Sequence, residues 1–175
     1  MSDQTTGRLD AATVSGRRWQ LEPSGSRVEF SVPHFYGLMK VHGRFDRFDG
    51  SLDLNADPAI ELNIDATSVN TGNRKRDEHL RSDDFFGVEK NPQVRFVSEK
   101  AVLDGESLAV TGRLYAAGSS VPLTLEATIR PIGDELELKV ATDVDQRELG
   151  ITWSPMGLMR RPTRLKVEAR LVAEA

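Results

Sequence analysis

The chain has 175 residues and a mass of 19.4 kDa, which favours a single domain with room for a sizeable core. Hydrophobic residues make up 38% of it, too large a share for a disordered chain, and a net charge of −4 without a basic stripe argues against nucleic-acid binding. Cysteine is absent, which excludes disulfides and cysteine-based zinc sites.

The amino-terminal segment, residues 1–16, is polar and reads as a flexible tail that precedes one folded domain over residues 17–175. It contains no long apolar run, so we expect no secretory signal peptide. The sequence also lacks an apolar stretch long enough to cross a membrane as a helix. Together these features predict a cytoplasmic protein.

Apolar and polar residues alternate with a period of two through most of the chain, which predicts strands with one buried face. The clearest runs are residues 28–32, 60–64, 123–129, 136–140 and 165–171. About eight or nine strands result, the number expected for a β-sandwich or a β-barrel.

Short turn signals separate the alternating runs. They are Pro23-Ser24-Gly25, Asp57-Pro58, Asp104-Gly105, Gly118-Ser119-Ser120 and Gly133-Asp134. Because a parallel pair of strands needs a long crossover connection, strands joined by such short loops must run antiparallel.

The strand that begins near Lys40 changes phase along its length. Its apolar residues have odd numbers up to Phe45 and even numbers from Phe48 onward. A bulge or bend between Asp46 and Gly50 would account for the shift and would help the sheet to curl.

Residues 72–91 break the alternation and predict one short helix, with Asn73 or Thr71 as its N-cap. Its charged residues read as a solvated face with ion pairs between Arg74 and Glu78 and between Asp77 and Arg81. The apolar residues of this segment are expected to pack across one end of the sheet: Leu80, Phe85 and Phe86.

Two apolar segments, at residues 35–39 and 153–159, do not follow the alternation of apolar and polar residues. Apolar side chains in loops are unfavourable in water unless something covers them. These loops therefore either cap the core or form the entrance to an apolar cavity, and a homodimer contact is a further explanation. Their methionines are suited to a surface that adapts to a ligand.

Residues that could carry chemistry form no recognisable constellation. The histidines, His34, His42 and His79, lack the spacing of a metal motif, and no serine lies in a nucleophile elbow. We therefore predict no catalytic residue, no metal site and no cofactor.

Several motifs then follow one another along the chain. Residues 34–50 read H-x6-V-x-G-x-F-x-x-F-x-G, and residues 71–86 read T-G-N-x-x-R-D-x-H-L-x-S-x-D-F-F. P-x-x-x-F-x-S at residues 92–98 and R-x-x-G-I at residues 147–151 continue the series. Together the motifs cover about residues 19–168, and they resemble the YceI-like family of polyisoprenoid-binding, lipocalin-like proteins.

The resemblance implies an all-β fold, an eight-stranded antiparallel lipocalin-like barrel with one short helix, which encloses the tail of an isoprenoid lipid. The ligand would be an isoprenoid quinone or a polyprenyl lipid, and the protein a binding or carrier protein and not an enzyme. A barrel of this size can hold one small ligand. This chain departs from the family at Leu114-Tyr115-Ala116-Ala117-Gly118, where the family has a basic or histidine residue before a glycine. We also expect it to lack the secretory leader that many members carry.

The expected lipid contacts combine inward-facing strand residues with apolar residues of the helical segment and of the two loops. They are Val28, Phe30, Val32, Phe35, Leu38, Met39, Val41, Phe45, Ile64, Phe85, Phe86, Phe96, Leu125, Trp153, Met156, Leu158 and Met159.

Two other functions stay open at this point. The protein could be an enzyme that acts on such a lipid within the same cavity, with His34, Asp77 or His79 as acid or base. It could also be an interaction module whose barrel interior is simply filled by leucine, valine and phenylalanine side chains.

Overall fold

Ten strands and one short helix make up most of the described chain, which comprises residues 14–34, 39–153 and 162–175 of the computed structural model. The strands are β1 (Arg18–His34), β2 (Met39–Phe45), β3 (Phe48–Asp53), β4 (Ala59–Asp65), β5 (Val69–Asn70), β6 (Gln93–Asp104), β7 (Ser107–Ala116), β8 (Ser119–Ile132), β9 (Glu135–Val144) and β10 (Thr163–Ala173). Helix α1 spans Arg74–Arg81, and 3-10 turns lie at Ala66–Ser68 and Gln146–Leu149.

Eight of these strands close into a barrel. The ring runs β1–β3–β4–β6–β7–β8–β9–β10 and returns to β1, and every pairing in it is antiparallel. β2 pairs with the second half of β1, and β5 adds two residues to the outer edge of β2. The all-β, eight-stranded antiparallel barrel predicted from the sequence is confirmed.

The predicted change of phase in the strand that begins near Lys40 lies at Asp46 and Arg47, between the end of β2 and the start of β3. Ser68 holds this break, because its carbonyl accepts from the Asp46 amide at 3.1 Å and its hydroxyl accepts from the Arg47 amide at 3.0 Å. Phe45 before the break and Leu52 after it are both buried. The break thus returns apolar side chains of both parities to the interior.

One predicted turn is wrong. Pro23-Ser24-Gly25 does not separate two strands but lies within β1, where the register against β10 shifts between Glu22 and Arg27. The Ser26 hydroxyl donates to the Glu22 carbonyl at 2.7 Å and accepts from the Arg170 amide at 2.9 Å. These bonds replace the missing ladder contacts, so the segment forms a bulge in a continuous strand.

The remaining turn signals do connect neighbouring strands. Gly105 and Gly133 each have φ +60° between paired strands, a conformation that glycine adopts without steric penalty. Between β7 and β8 the two turn residues are Ala117 at φ 51° and Gly118 at φ 79°. Positive φ at both positions defines a type I′ hairpin, and alanine is poorly suited to the first of them.

Replacing Ala117 by Asn should therefore stabilise the protein. The left-handed conformation costs an L-residue with a Cβ roughly 1–2 kcal/mol, and asparagine tolerates it better, so we expect a gain of about 0.5–1 kcal/mol in the free energy of unfolding. Thermal and urea unfolding of both proteins measure it. An unchanged or lower stability would contradict the strain assigned to this turn.

The base of the barrel is solidly packed. The side chains that fill it are almost wholly buried: Val14, Trp19, Leu108, Ile129 and Leu136. Val14 belongs to the segment predicted as a tail, and the Gly16 amide donates to the Leu54 carbonyl at 2.8 Å. Residues 14–16 are thus part of the folded barrel and not of the predicted tail, whose remainder lies outside the described residues.

Candidate functional site

The burial of inward-facing side chains changes along the strands in a way that marks a cavity. On β8, Ala127 and Ile129 near the base are buried, whereas Leu123 and Leu125 on the same face are only half-buried. Val140 on β9 shows the same partial exposure. Because these side chains point inward and still have free surface, the barrel is hollow above its packed base.

The hollow is a cavity of about 620 Å³, within the range of about 300–1,000 Å³ that is typical of small-molecule sites. Its wall is formed mostly by aliphatic and aromatic side chains from all eight strands of the ring. An interior filled by its own side chains, one of the readings left open by the sequence, is therefore wrong.

Helix α1 and the turn after it cover one end of the cavity, as the sequence predicts. Leu80, Phe85 and Phe86 all line the cavity. The Phe86 amide donates to the Leu80 carbonyl at 3.0 Å, which folds the turn back over the helix end. The Phe86 ring meets the edge of the Phe45 ring, with centroids 5.7 Å apart, so this cover packs directly on the wall.

Thr71 anchors the helix to the barrel through the two charged residues of the second motif. Asp77 Oδ1 accepts from the Thr71 amide at 2.8 Å and from its hydroxyl at 2.6 Å. Arg76 Nε donates to the Thr71 hydroxyl at 2.9 Å, and its Nη2 donates to the Thr71 carbonyl at 3.1 Å. Asn73 is the N-cap, since its side chain accepts from the Arg76 amide.

Replacing Asp77 by Ala should lower stability more than it alters the bound ligand. The change removes two hydrogen bonds to a charged acceptor and leaves the partly buried Thr71 amide and the Thr71 hydroxyl proton without an acceptor, so we expect a loss of about 1–3 kcal/mol. Chemical denaturation measures it, with Glu78→Ala as the control, because the ion pair of Glu78 in the described chain is to the exposed Arg74 at 3.4 Å. Loss of ligand at full stability would contradict an anchoring role.

Three rings form a cluster at the same end of the cavity. The His79 and Trp153 rings meet edge to face with centroids 4.4 Å apart, and Phe85 lies 5.0 Å from His79 and 5.3 Å from Trp153. His79 Nε2 is 2.8 Å from Asp84 Oδ2, which fixes the imidazole. Trp153 both lines the cavity and keeps 37% of its surface exposed, so it lies between the cavity and solvent.

A 3-10 turn precedes Trp153 and is closed by its own ion pair. Asp145 accepts from the Arg147 amide, Nε and Nη2 at 2.9–3.0 Å. These hydrogen bonds from Arg147 lower the pKa of Asp145. A lowered pKa means that the pair contributes fully at neutral pH, and that its contribution is lost only as the pH falls through that pKa in acid.

Phe30 owes its position on the cavity wall to a glycine on the next strand. Gly43 pairs with Phe30 across β1 and β2, and a Cβ at residue 43 would lie 2.3 Å from the phenyl Cζ. The ring therefore lies over the glycine, with its centroid 5.4 Å from that of Phe45. Any larger residue at position 43 would push Phe30 into the cavity.

The structure brings eleven of the predicted contact residues together on the cavity wall. They are Val28, Phe30, Val32, Val41, Phe45, Ile64, Phe85, Phe86, Phe96, Leu125 and Trp153.

Met39 does not line the cavity, contrary to the prediction. It shares the parity of Val41, but it lies at the start of β2, where β1 pairs with it on one side only, and 59% of its surface is exposed. The other predicted contacts lie outside the described residues: Phe35, Leu38, Met156, Leu158 and Met159. That the two loops form an entrance, or a homodimer contact, stays a prediction.

Sequence reasoning missed part of the wall and most of its polar rim. Leu123, Val140, Leu165 and Val167 line the cavity, and each lies on the apolar face of an alternating run that the sequence identified. The polar members lie mainly at the helix end: Asn73, Lys75, Arg76, His79 and Gln146. Of these, the sequence placed His79 in the cavity, as a candidate acid or base, and the others face the cavity because of how the closed barrel and the helix are arranged.

Two of the three residues considered as acid or base, Asp77 and His79, are each bonded to another side chain or backbone group. Asp77 is occupied by Thr71, and His79 is paired with Asp84. The His34 side chain lies outside the described part of the structure. Among the residues that are described, no three side chains are grouped as a metal site would need. Within the same ranges, no helix has the length and apolar character to cross a membrane.

Comparison with known sequences gives relatives of similar size. Protein YceI of Escherichia coli O157:H7 is 38% identical over 133 residues, which cover 73% of this chain and 69% of that protein. A UPF0312 protein of Pseudomonas aeruginosa is 37% identical over 112 residues, or 62% of this chain. The chain spans 58% of the length of that relative.

Comparison with solved structures confirms the barrel. A polyisoprenoid binding domain from Saccharophagus degradans superposes with a TM-score of 0.75 at 14% identity, covering 89% of this chain and 98% of that domain. The family model of the YceI-like domain matches residues 19–173, which include every strand of the ring but for the first residue of β1. By this match, the chain belongs to the YceI-like family.

Proposed function

We propose that this protein is a binding or carrier protein that holds the isoprenoid tail of a lipid or quinone inside the barrel, without changing it chemically. The observation that carries the proposal is the cavity of about 620 Å³ whose inward-facing aliphatic side chains are only half-buried. Leaving so much apolar surface uncovered is unfavourable unless a ligand covers it.

The free energy expected from burying a hydrocarbon chain supports the tail as the part of the ligand that the barrel holds. Burying about ten methylene equivalents at ~0.8 kcal/mol each contributes roughly 8 kcal/mol, equivalent to a dissociation constant near 1 µM before the entropy lost on binding is subtracted. An apolar wall can therefore hold a tail without a polar contact. The related fold from Saccharophagus degradans is described as a polyisoprenoid binding domain, which agrees with this choice of ligand.

The hydrogen-bond partners of the carboxylates near the cavity favour binding without catalysis. Asp77 is committed to Thr71, and Glu61, which lines the cavity, is bound by Arg95 Nη2 at 2.8 Å. Both carboxylates are thus engaged by protein groups, whereas a general base must reach the proton that it removes.

Trp153 gives a direct test of occupancy. Trp19, the other tryptophan, is buried in the base and does not line the cavity. In a Trp19→Phe background, a long-chain isoprenoid quinone should shift or quench Trp153 emission saturably, because the indole contacts the cavity. A short quinone without the tail is the control. Unchanged emission, together with no ligand by equilibrium dialysis, would contradict the proposal.

A further inference from the structure

Two basic side chains lie among the residues that line the cavity. Lys75 and Arg76 both line the cavity at its α1 end, and the Lys75 ammonium has no hydrogen bond or ion pair with any residue that the structure describes. Arg76 uses its guanidinium on the neutral Thr71, and no carboxylate lies within ion-pair distance of it in the same ranges. Two positive charges thus border an apolar cavity without an ion-pair partner among the described residues.

Four carboxylates of the helical segment and the cavity wall bond to groups other than Lys75 and Arg76. Glu78 pairs with Arg74 at 3.4 Å, Asp84 pairs with His79 at 2.8 Å, and Asp77 accepts from Thr71. Glu61, the acidic residue on the cavity wall, is bound by Arg95. None of the four forms an ion pair with Lys75 or Arg76, so both side chains remain available to an anion at this end of the cavity.

We propose that the lipid bound in the barrel carries an anionic head group, a phosphate or a carboxylate, which pairs with Lys75 and Arg76 at the α1 end while the tail fills the apolar interior. This inference rests on the proposed function and narrows it: a neutral lipid, such as a quinone, would still bind through its tail, but more weakly than an acidic lipid with the same tail. Ammonium and guanidinium groups are the side chains that bind phosphate and carboxylate oxygens most strongly.

Ligands that share one tail and differ only in the head group test the proposal. Native mass spectrometry titrations would compare geranylgeranyl phosphate and geranylgeranoic acid with the neutral geranylgeraniol. A charge-assisted pair contributes roughly a factor of ten in affinity, so the wild-type protein should bind at least one anionic ligand about tenfold more tightly than the alcohol.

Substitutions in α1 test whether Lys75 causes the preference for an anionic head group. Lys75→Gln should remove most of this preference and Lys75→Glu should reverse it, with the melting temperature unchanged, because Lys75 is exposed and has no partner in the described chain. Arg74→Gln is the matched control: it makes the same change of charge one residue away, at a side chain that is 93% exposed and does not line the cavity.

The outcomes separate this inference from the proposed function. Equal binding of the anionic ligands and the alcohol, or a preference that survives in Lys75→Glu or is lost equally in Arg74→Gln, would overturn the head-group site and leave tail binding intact. Displacement of the tailed phosphate by an equal concentration of inorganic phosphate would also overturn it. Failure of all three tailed ligands to bind would instead refute the proposed function.

Discussion

Replacing Phe30 by Asp should unfold the barrel or abolish lipid uptake. Phe30 is 7% exposed, lies over Gly43 and contacts Phe45. Losing a buried aromatic ring costs about 3–5 kcal/mol, and burying a carboxylate without a partner adds several more, against a total stability of about 5–15 kcal/mol. Circular dichroism and chemical denaturation measure the fold of the variant.

Phe30→Leu is the control for that change, because it keeps an apolar side chain at the same position. It should remain folded with a smaller loss of stability. A Phe30→Asp protein that stays folded with unchanged lipid content would show that residue 30 does not face the cavity.

Replacing Leu125 by Trp should block ligand binding while leaving the barrel folded. Leu125 points into the cavity and is only half-buried, so a larger side chain has space to enter without displacing packed neighbours. The indole would occupy the volume that a tail needs, and we expect affinity for a long-chain isoprenoid to fall by about a hundredfold, the equivalent of roughly 3 kcal/mol. Equilibrium dialysis of the ligand and a thermal melt of the protein measure the two effects.

Thr124→Trp provides the matched control for Leu125→Trp. Thr124 is the preceding residue on β8 and faces outward, where it is exposed. This variant should bind lipid as the wild type does. A large fall in melting temperature of Leu125→Trp alone would mean that the site is packed core, and equal binding by both variants would place the ligand elsewhere.

The strands could be predicted because their signal is local. Alternation fixes which side chains share a face, and the type of residue at a turn fixes where a hairpin reverses. The turn predicted at Pro23-Ser24-Gly25 is wrong because that prediction also used only local composition. The tripeptide favours a turn, but β10 pairs with β1 on both sides of it and keeps the strand continuous. Contacts with a strand almost 150 residues away cannot be read from a tripeptide.

The cavity itself could not be predicted from the pattern. Leu123 and Ile129 lie on the same face of β8, yet one is half-buried and the other is fully buried. The difference arises from what lies across the barrel at each level, and this depends on how the ring closes. Alternation alone therefore fits a filled interior as well as a hollow one.

The charged residues of α1 show the same limit. The predicted pair between Arg74 and Glu78 is present at 3.4 Å, but Asp77 bonds Thr71, the residue after β5, in place of Arg81. From the sequence, Lys75 is interpreted as part of the solvated face of the helix. It belongs to the cavity rim because the helix lies across the end of the barrel.

Native mass spectrometry of the purified protein, before and after organic extraction, tests lipid binding most directly. We expect the untreated protein to carry an adduct whose extracted mass and fragmentation identify a lipid with an isoprenoid tail, and we expect Leu125→Trp to lack it. An adduct-free wild-type protein that also takes up no long-chain isoprenoid when one is added would contradict the account.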